Sequence, residues 1–282
     1  MSPSTLRELL REGRDEAPAL AAPGMPELSF AALRQQVADT GTTLRRLGIG
    51  PRDRVAIVLP NGPEMATAFL GVAAAAVAAP LNPGYRSEEF EFYLTDLGAK
   101  ALIVDAGSGS PAIEVGRRLG VRILTLLPES ARGAGCFRLE TDAVGDGDGA
   151  VVAADPSSAP SASDVALVLH TSGTTSRPKI VPLSQANLCA SARNIRLSCA
   201  LEASDRGLNI MPLFHIHGLI AALLAPLSAG GSVYCTPGFN ALKFFAWMEA
   251  ARPTWYTAVP TMHQALLGRA RQNAAVIAAH PL

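Results

Sequence analysis

Short apolar runs without polar alternation constrain this chain more than any other feature. They stand at 54–59 (RVAIVL), 77–81 (VAAPL), 100–104 (KALIV), 122–127 (RILTLL) and 165–169 (VALVL). Segments of helical length separate most of them. A strand that faces water on one side alternates polar with apolar residues. Runs that do not alternate belong to strands covered on both faces, which is the condition of parallel strands joined by helices. The expected class is therefore α/β, with layered subdomains and mostly parallel sheets. At 282 residues, 49% of them hydrophobic, the chain has ample material for such a core.

The first helix signal is Asn61-Gly62-Pro63, a turn with proline at the first helical turn, leading into a helix over 65–75. From 131 to 163 the composition shifts to Gly, Ala, Asp, Ser and Pro, which reads as a linker between a subdomain at 1–130 and another at 164–282. Its Gly-Asp alternation lacks the closing carboxylate of a calcium loop, so a solvated linker is the expectation. Beyond it, strands are expected at 165–169, 180–183, 232–235 and 254–258. Ser184 reads as the N-cap of a helix over 185–198. Further helices are expected at 219–227, 241–251 and from Pro260 to 271. Phe244, Phe245 and Trp247 fall at helical spacing and read as core.

Composition excludes several function classes. Formal charge is zero, with 24 basic and 24 acidic residues, so no electrostatic footprint for nucleic acid is present. The N-terminal residues mix charge with apolar side chains and lack the apolar core of a signal peptide. The longest apolar stretch, 66–79, falls short of the ~20 residues of a membrane span. Cys136, Cys189, Cys199 and Cys235 form no CxxC pair and read as reduced, mostly buried thiols. A cytoplasmic location is expected.

One segment carries candidate chemistry: HTSGTTSRPK, His170 to Lys179, held between two expected strands. Gly173 to Lys179 has the spacing of a Walker A loop. However, Pro178 replaces its second glycine, and Ile180 stands where a Ser or Thr would hold magnesium. A P-loop hydrolase is thereby disfavoured. Hydroxyl donors, glycine backbone and one ammonium still suit polyphosphate. Lysine is scarce, only Lys100, Lys179 and Lys243, which makes Lys179 notable here. On the residues alone, phosphate binding and a structural turn both stay open.

TSGTTSRPK resembles the phosphate loop of the adenylate-forming ligases, the superfamily of acyl-CoA synthetases, peptide-synthetase adenylation domains and luciferases, usually written TSGTTGxPKG. Ser176 and Ile180 depart from glycine. MPLFHIHGL, from Met211 to Leu219, resembles a second motif of that family in the expected order. The 54–104 region, which includes PLNPGYRSEEFEFYL, also looks like the family's N-terminal part. The Ser-Arg form of the loop looks closest to the oxalate–CoA ligase branch.

The resemblance implies a carboxylate–CoA ligase that uses ATP and CoA. A small-molecule carboxylate would attack ATP to give an acyl-adenylate and pyrophosphate, and the acyl group would pass to a thiol. Thr171, Ser172, Gly173, Thr174, Thr175 and Lys179 would hold the β- and γ-phosphates, where leaving-group charge must meet fixed donors. His215 would sit beside the carboxylate as the catalytic histidine, with His217 as a further substrate contact. A dianion such as oxalate would need donors or cations there. The His215–His217 spacing without a third ligand makes zinc disfavoured. His170 reads as structural, and His263 as a packed or solvated histidine more than a substrate contact.

Three family features are absent from the sequence: the YGxTE-like motif for adenine and Mg2+, the ribose aspartate, and the C-terminal domain with its catalytic lysine. No metal ligand is assigned in this chain. The expectation is a truncated N-terminal large domain, inactive alone and with an unpaired sheet edge. The alternatives are a non-catalytic nucleotide-binding remnant and an adenylation domain serving a carrier protein. Acceptor and oligomeric state are not legible.

Overall fold

The computed structural model describes residues 2–141, 159–171 and 178–282. After helix α1 (Leu6–Leu9), β1 (Pro18–Ala21) and β2 (Leu28–Ser29) form a hairpin, and α2 (Phe30–Arg46) follows, capped by the Ser29 hydroxyl. The chain then alternates: β3 (Arg54–Val58), α3 (Pro63–Ala73), β4 (Val77–Pro80), α4 (Ser87–Leu97), β5 (Ala101–Asp105), α5 (Pro111–Arg118), β6 (Arg122–Pro128). Strand β7 (Phe137–Thr141) completes this stretch.

Strands β8 (Val165–Thr171) and β9 (Lys179–Ser184) make a second hairpin. Ser184 caps α6 (Gln185–Ser198) through a reciprocal pair with Asn187, as its sequence suggests. Next come β10 (Arg206–Asn209), a π-helical turn at His217–Leu224, α7 (Ala225–Ser228) and β11 (Ser232–Cys235). The remainder is α8 (Phe244–Ala251), β12 (Trp255–Tyr256), α9 (Pro260–Leu267) and α10 (Ala274–Ala279).

Among the described residues there are two sheets. Seven strands are ordered β7-β6-β5-β3-β4-β8-β9, and five are ordered β12-β10-β11-β1-β2. Pairing is parallel except at β6/β7, β8/β9 and β1/β2, all at sheet margins. The mostly parallel α/β expectation therefore holds.

Side-chain alternation along each strand builds five layers. Val55 and Ile57 of β3 share one core with Leu20 of β1 and Val233 of β11, together with α2, α3, α6 and the π-helical turn. Ala56 and Val58 face the opposite way, onto α4 and α5. On the far side of the five-stranded sheet, Leu208 and Tyr234 pack with Phe244, Phe245, Trp247 and Leu266. Helix α3 lies in the middle layer, and all its residues but Glu64 are buried, which is why it is apolar on every side. Its Gly71 lets α2 come close, since a Cβ there would sit 2.8 Å from the Thr40 side chain.

Two expectations are corrected. Residues 137–141, read as linker, form β7, and the Gln36 amide holds the Phe137 carbonyl at 2.9 Å. Only Phe137 of that strand is fully buried, so it lacks the apolar run by which strands were read. The Gly-Asp stretch of the expected linker lies outside the described residues. In space, β8 and β9 complete the seven-stranded sheet, while β1 and β2 belong to the five-stranded one. Finally, the helix expected at 219–227 is π-helical up to Leu224 and α-helical only from Ala225.

Candidate functional site

The hairpin β8/β9 fixes the candidate phosphate segment at both ends. Thr171 and Lys179 are direct partners in its register, next to His170 and Ile180. Both Thr171 and Lys179 are exposed, and Lys179 makes no ion pair among the described residues. Ser172, Gly173, Thr174 and Thr175 lie outside the described residues. His170 is structural, as read: its ring is almost fully buried, Nε2 lies 3.0 Å from Asp96 Oδ2, and it packs edge-on against Tyr93 at 4.6 Å. The end of β8 is thereby tied to α4.

The second part is the loop between β10 and the π-helical turn. Leu213 is buried and His215 is exposed, its ring 4.5 Å from that of Phe214. The His215 N–H donates to the Pro212 carbonyl at 3.3 Å, and the Leu219 N–H donates to the His215 carbonyl at 3.1 Å. No described residue hydrogen-bonds the His215 ring. His217 Nε2 lies 2.7 Å from Thr257 Oγ1, which anchors that ring to the segment after β12.

Partial burial lowers the pKa of both histidines below the ordinary 6.5. A lowered pKa favours the uncharged imidazole at neutral pH, which donates from one ring nitrogen and accepts at the other. Of the two roles the sequence left open for them, donor and cation, burial favours the first.

Gly218 explains the tight path of this loop. A Cβ there would lie 2.1 Å from the Pro212 carbonyl oxygen. The π-helical turn that follows widens the helix where it leaves the loop, a geometry found often at functional sites.

His263 lies elsewhere. Its Nδ1 is 2.9 Å from the Tyr256 hydroxyl, beside an apolar groove of about 490 Å³ lined in part by Phe244, Met248 and Leu266. Sequence reasoning gave Asn61 only a turn role, yet its amide reaches both Leu213 and Thr236. Among the described residues, no group of three His, Cys, Asp or Glu side chains is placed to hold a metal ion. No described helix is long and apolar enough to cross a membrane.

A family model described as AMP-binding enzyme matches residues 10–280. The chain belongs to the AMP-binding enzyme family. Within that family it is 40% identical over 277 residues to an oxalate–CoA ligase of Arabidopsis thaliana, which covers 95% of this chain and 52% of the relative. It is 37% identical over 242 residues to the oxalate–CoA ligase of Saccharomyces cerevisiae, covering 79% of this chain and 44% of that one. The chain thus spans about half the length of the curated relatives it matches. ATP-bound MatB from Rhodopseudomonas palustris superposes with a TM-score of 0.77 at 26% identity, over 95% of this chain and 51% of that one.

Proposed function

We propose that this family member is an AMP-forming carboxylate–CoA ligase acting on a small dianionic acid, with oxalate the first choice. The observation that carries the reading is the hairpin mouth. There a lysine with no ion pair among the described residues and a threonine stand opposite each other at the two ends of a hydroxyl-rich segment. The similarity to two oxalate–CoA ligases supports the substrate.

In this reading a carboxylate oxygen forms a bond to the α-phosphorus of ATP. The α–β bridging bond breaks, and pyrophosphate leaves with the electron pair. Thr171 and Lys179, with Ser172, Gly173, Thr174 and Thr175, hold the departing phosphates, where an ammonium and fixed donors meet the growing charge. His215, whose ring no described residue holds, donates to the carboxylate and orients it. His217 braces the same loop through Thr257. The CoA thiol then gives up its proton and attacks the acyl carbon, releasing AMP. Mg2+, the companion of ATP in such chemistry, finds no ligand group among the described residues, and no step is assigned to it.

ATP–pyrophosphate exchange with oxalate, acetate and octanoate in parallel tests the reading. Exchange that depends on oxalate supports it. Exchange with octanoate alone would replace the substrate class, and no binding of ATP or pyrophosphate would remove the phosphate assignment.

A further inference from the structure

Asn61 stands just beyond β3, where the chain turns into α3, and its side chain reaches across to the other sheet. Its Oδ1 accepts the Leu213 N–H at 2.8 Å, and its Nδ2 donates to the Thr236 carbonyl at 3.0 Å. Thr236 is fully buried, and its hydroxyl donates to the Asn209 carbonyl at 2.8 Å. Asn209 in turn accepts the Met211 N–H on Oδ1 at 2.9 Å. Two residues later the chain is back at Leu213. The bonds therefore close a circuit around the segment that leads to His215.

Each contact is buried or half-buried, which makes the circuit selective about its members. Leu213 is 1% exposed, so its N–H has no recourse to water and needs an internal acceptor. Only an amide of this length accepts from Leu213 and donates to Thr236 at once. Asp keeps the acceptor alone, Ala keeps neither, and Gln places both atoms one bond too far. Asn209 Nδ2 is buried with no partner among the described residues, so there the segment keeps this shape despite an orphaned donor.

We infer that Asn61 is a positioning residue: by holding the Leu213 N–H it sets where His215 stands relative to the carboxylate. This rests on the reading of His215 given above. It adds a residue from the turn that follows β3, a strand of the other sheet, to the machinery of carboxylate recognition. Asn61 touches neither His215 nor the reacting atoms and acts through the backbone between them.

Histidine-15N-labelled protein, saturated with an ATP analogue whose α–β bridge is methylene, provides the test. Oxalate is titrated while the His215 ring resonances are followed, and pyrophosphate affinity and Tm are measured alongside. For Asn61→Ala, loss of one buried hydrogen bond is expected to weaken oxalate about tenfold, with pyrophosphate affinity within about twofold of the wild type. Unchanged oxalate affinity, or equal losses for oxalate and pyrophosphate, would overturn the inference.

If Asn61→Ala does not fold, Asn61→Asp carries the test, since it keeps the acceptor for Leu213. Oxalate affinity within about threefold of the wild type supports the inference. A loss of tenfold or more, with the Leu213 amide still protected from exchange, overturns it. Wild-type protein whose His215 responds to none of oxalate, acetate or octanoate removes the site reading itself, and the inference with it.

Discussion

Thr171 and Lys179 face each other across the last antiparallel pairing of β8 and β9. The ammonium is exposed and has no carboxylate to compete for it among the described residues. Replacing Lys179 with Ala is expected to raise the pyrophosphate dissociation constant about 10- to 100-fold, the size of a lost charge-assisted contact. Tm should hardly move, because an exposed side chain with no partner contributes little to folding. Isothermal titration with pyrophosphate, paired with a melting curve, checks both halves. Lys179→Arg should fall between the two, since a guanidinium keeps the charge but not the compact geometry.

His215 and His217 make stability depend on acid in a defined direction. In the unfolded chain an imidazole takes its proton near 6.5, whereas burial delays this in the folded protein to lower pH. Between those points the unfolded state holds more protons. Their contribution is therefore complete above about pH 6.5 and is lost as pH falls through the window below it. The double variant His215→Gln/His217→Gln should melt with a flatter acid limb between about pH 7 and 5. Scanning fluorimetry across that range gives the comparison, and an unchanged limb would refute the assignment.

Gly218 leaves no room for a methyl group against the Pro212 carbonyl. Gly218→Ala is expected to cost about 1–3 kcal/mol, the usual range for overpacking, and to displace the His215 loop. Urea unfolding measures the first effect, and loss of oxalate response at His215 measures the second. Full stability with full response would show that the loop is softer than its geometry implies.

Gln185 ties three distant elements together away from the candidate site. It is 1% exposed, its Oε1 accepts the Leu6 N–H at 3.0 Å, and its Nε2 donates to the Ala73 carbonyl at 2.6 Å. Gln185→Leu leaves a buried donor and a buried acceptor without partners, which should cost about 2–4 kcal/mol. Denaturant midpoints should show it, while pyrophosphate affinity of the folded fraction stays the same.

The parts of this molecule legible in sequence are those whose signals are local. Strands such as β3 and β5 announce themselves because both faces are covered, so the residues inside the run, Val55–Val58 and Ala101–Val104, are all apolar. Ser184 is readable as a cap because its partner is Asn187, three residues on. Strand β7 is not readable: it buries Phe137 and leaves the rest to pairing with β6. The π-helical form of 217–224 is equally hidden, since eight nearly all-apolar residues show no period to tell 3.6 from a wider turn.

Among the candidate residues, Thr171, Lys179 and His215 could be singled out in sequence because motif order carries them. Asn61 was not, because its partners lie at Leu213 and Thr236, far along the chain. Its neighbours Gly62 and Pro63 explain the turn so well that nothing local asks for more. His170 was legible as structural, but its partner Asp96 on α4 was not.

The pairing of β1 with β11 has a consequence for how the chain comes off the ribosome. Leu20 lies beside Val233, so β1 is synthesised some two hundred residues before its parallel neighbour and must wait for it. Strands β3 to β6, each one helix away from the next, can assemble in the meantime, since nearby contacts form faster than distant ones. Until β11 arrives, the apolar edge of β1 has only β2 beside it. A nascent chain paused before residue 232 should accordingly carry an exposed strand that chaperones recognise, and release it once β11 is made.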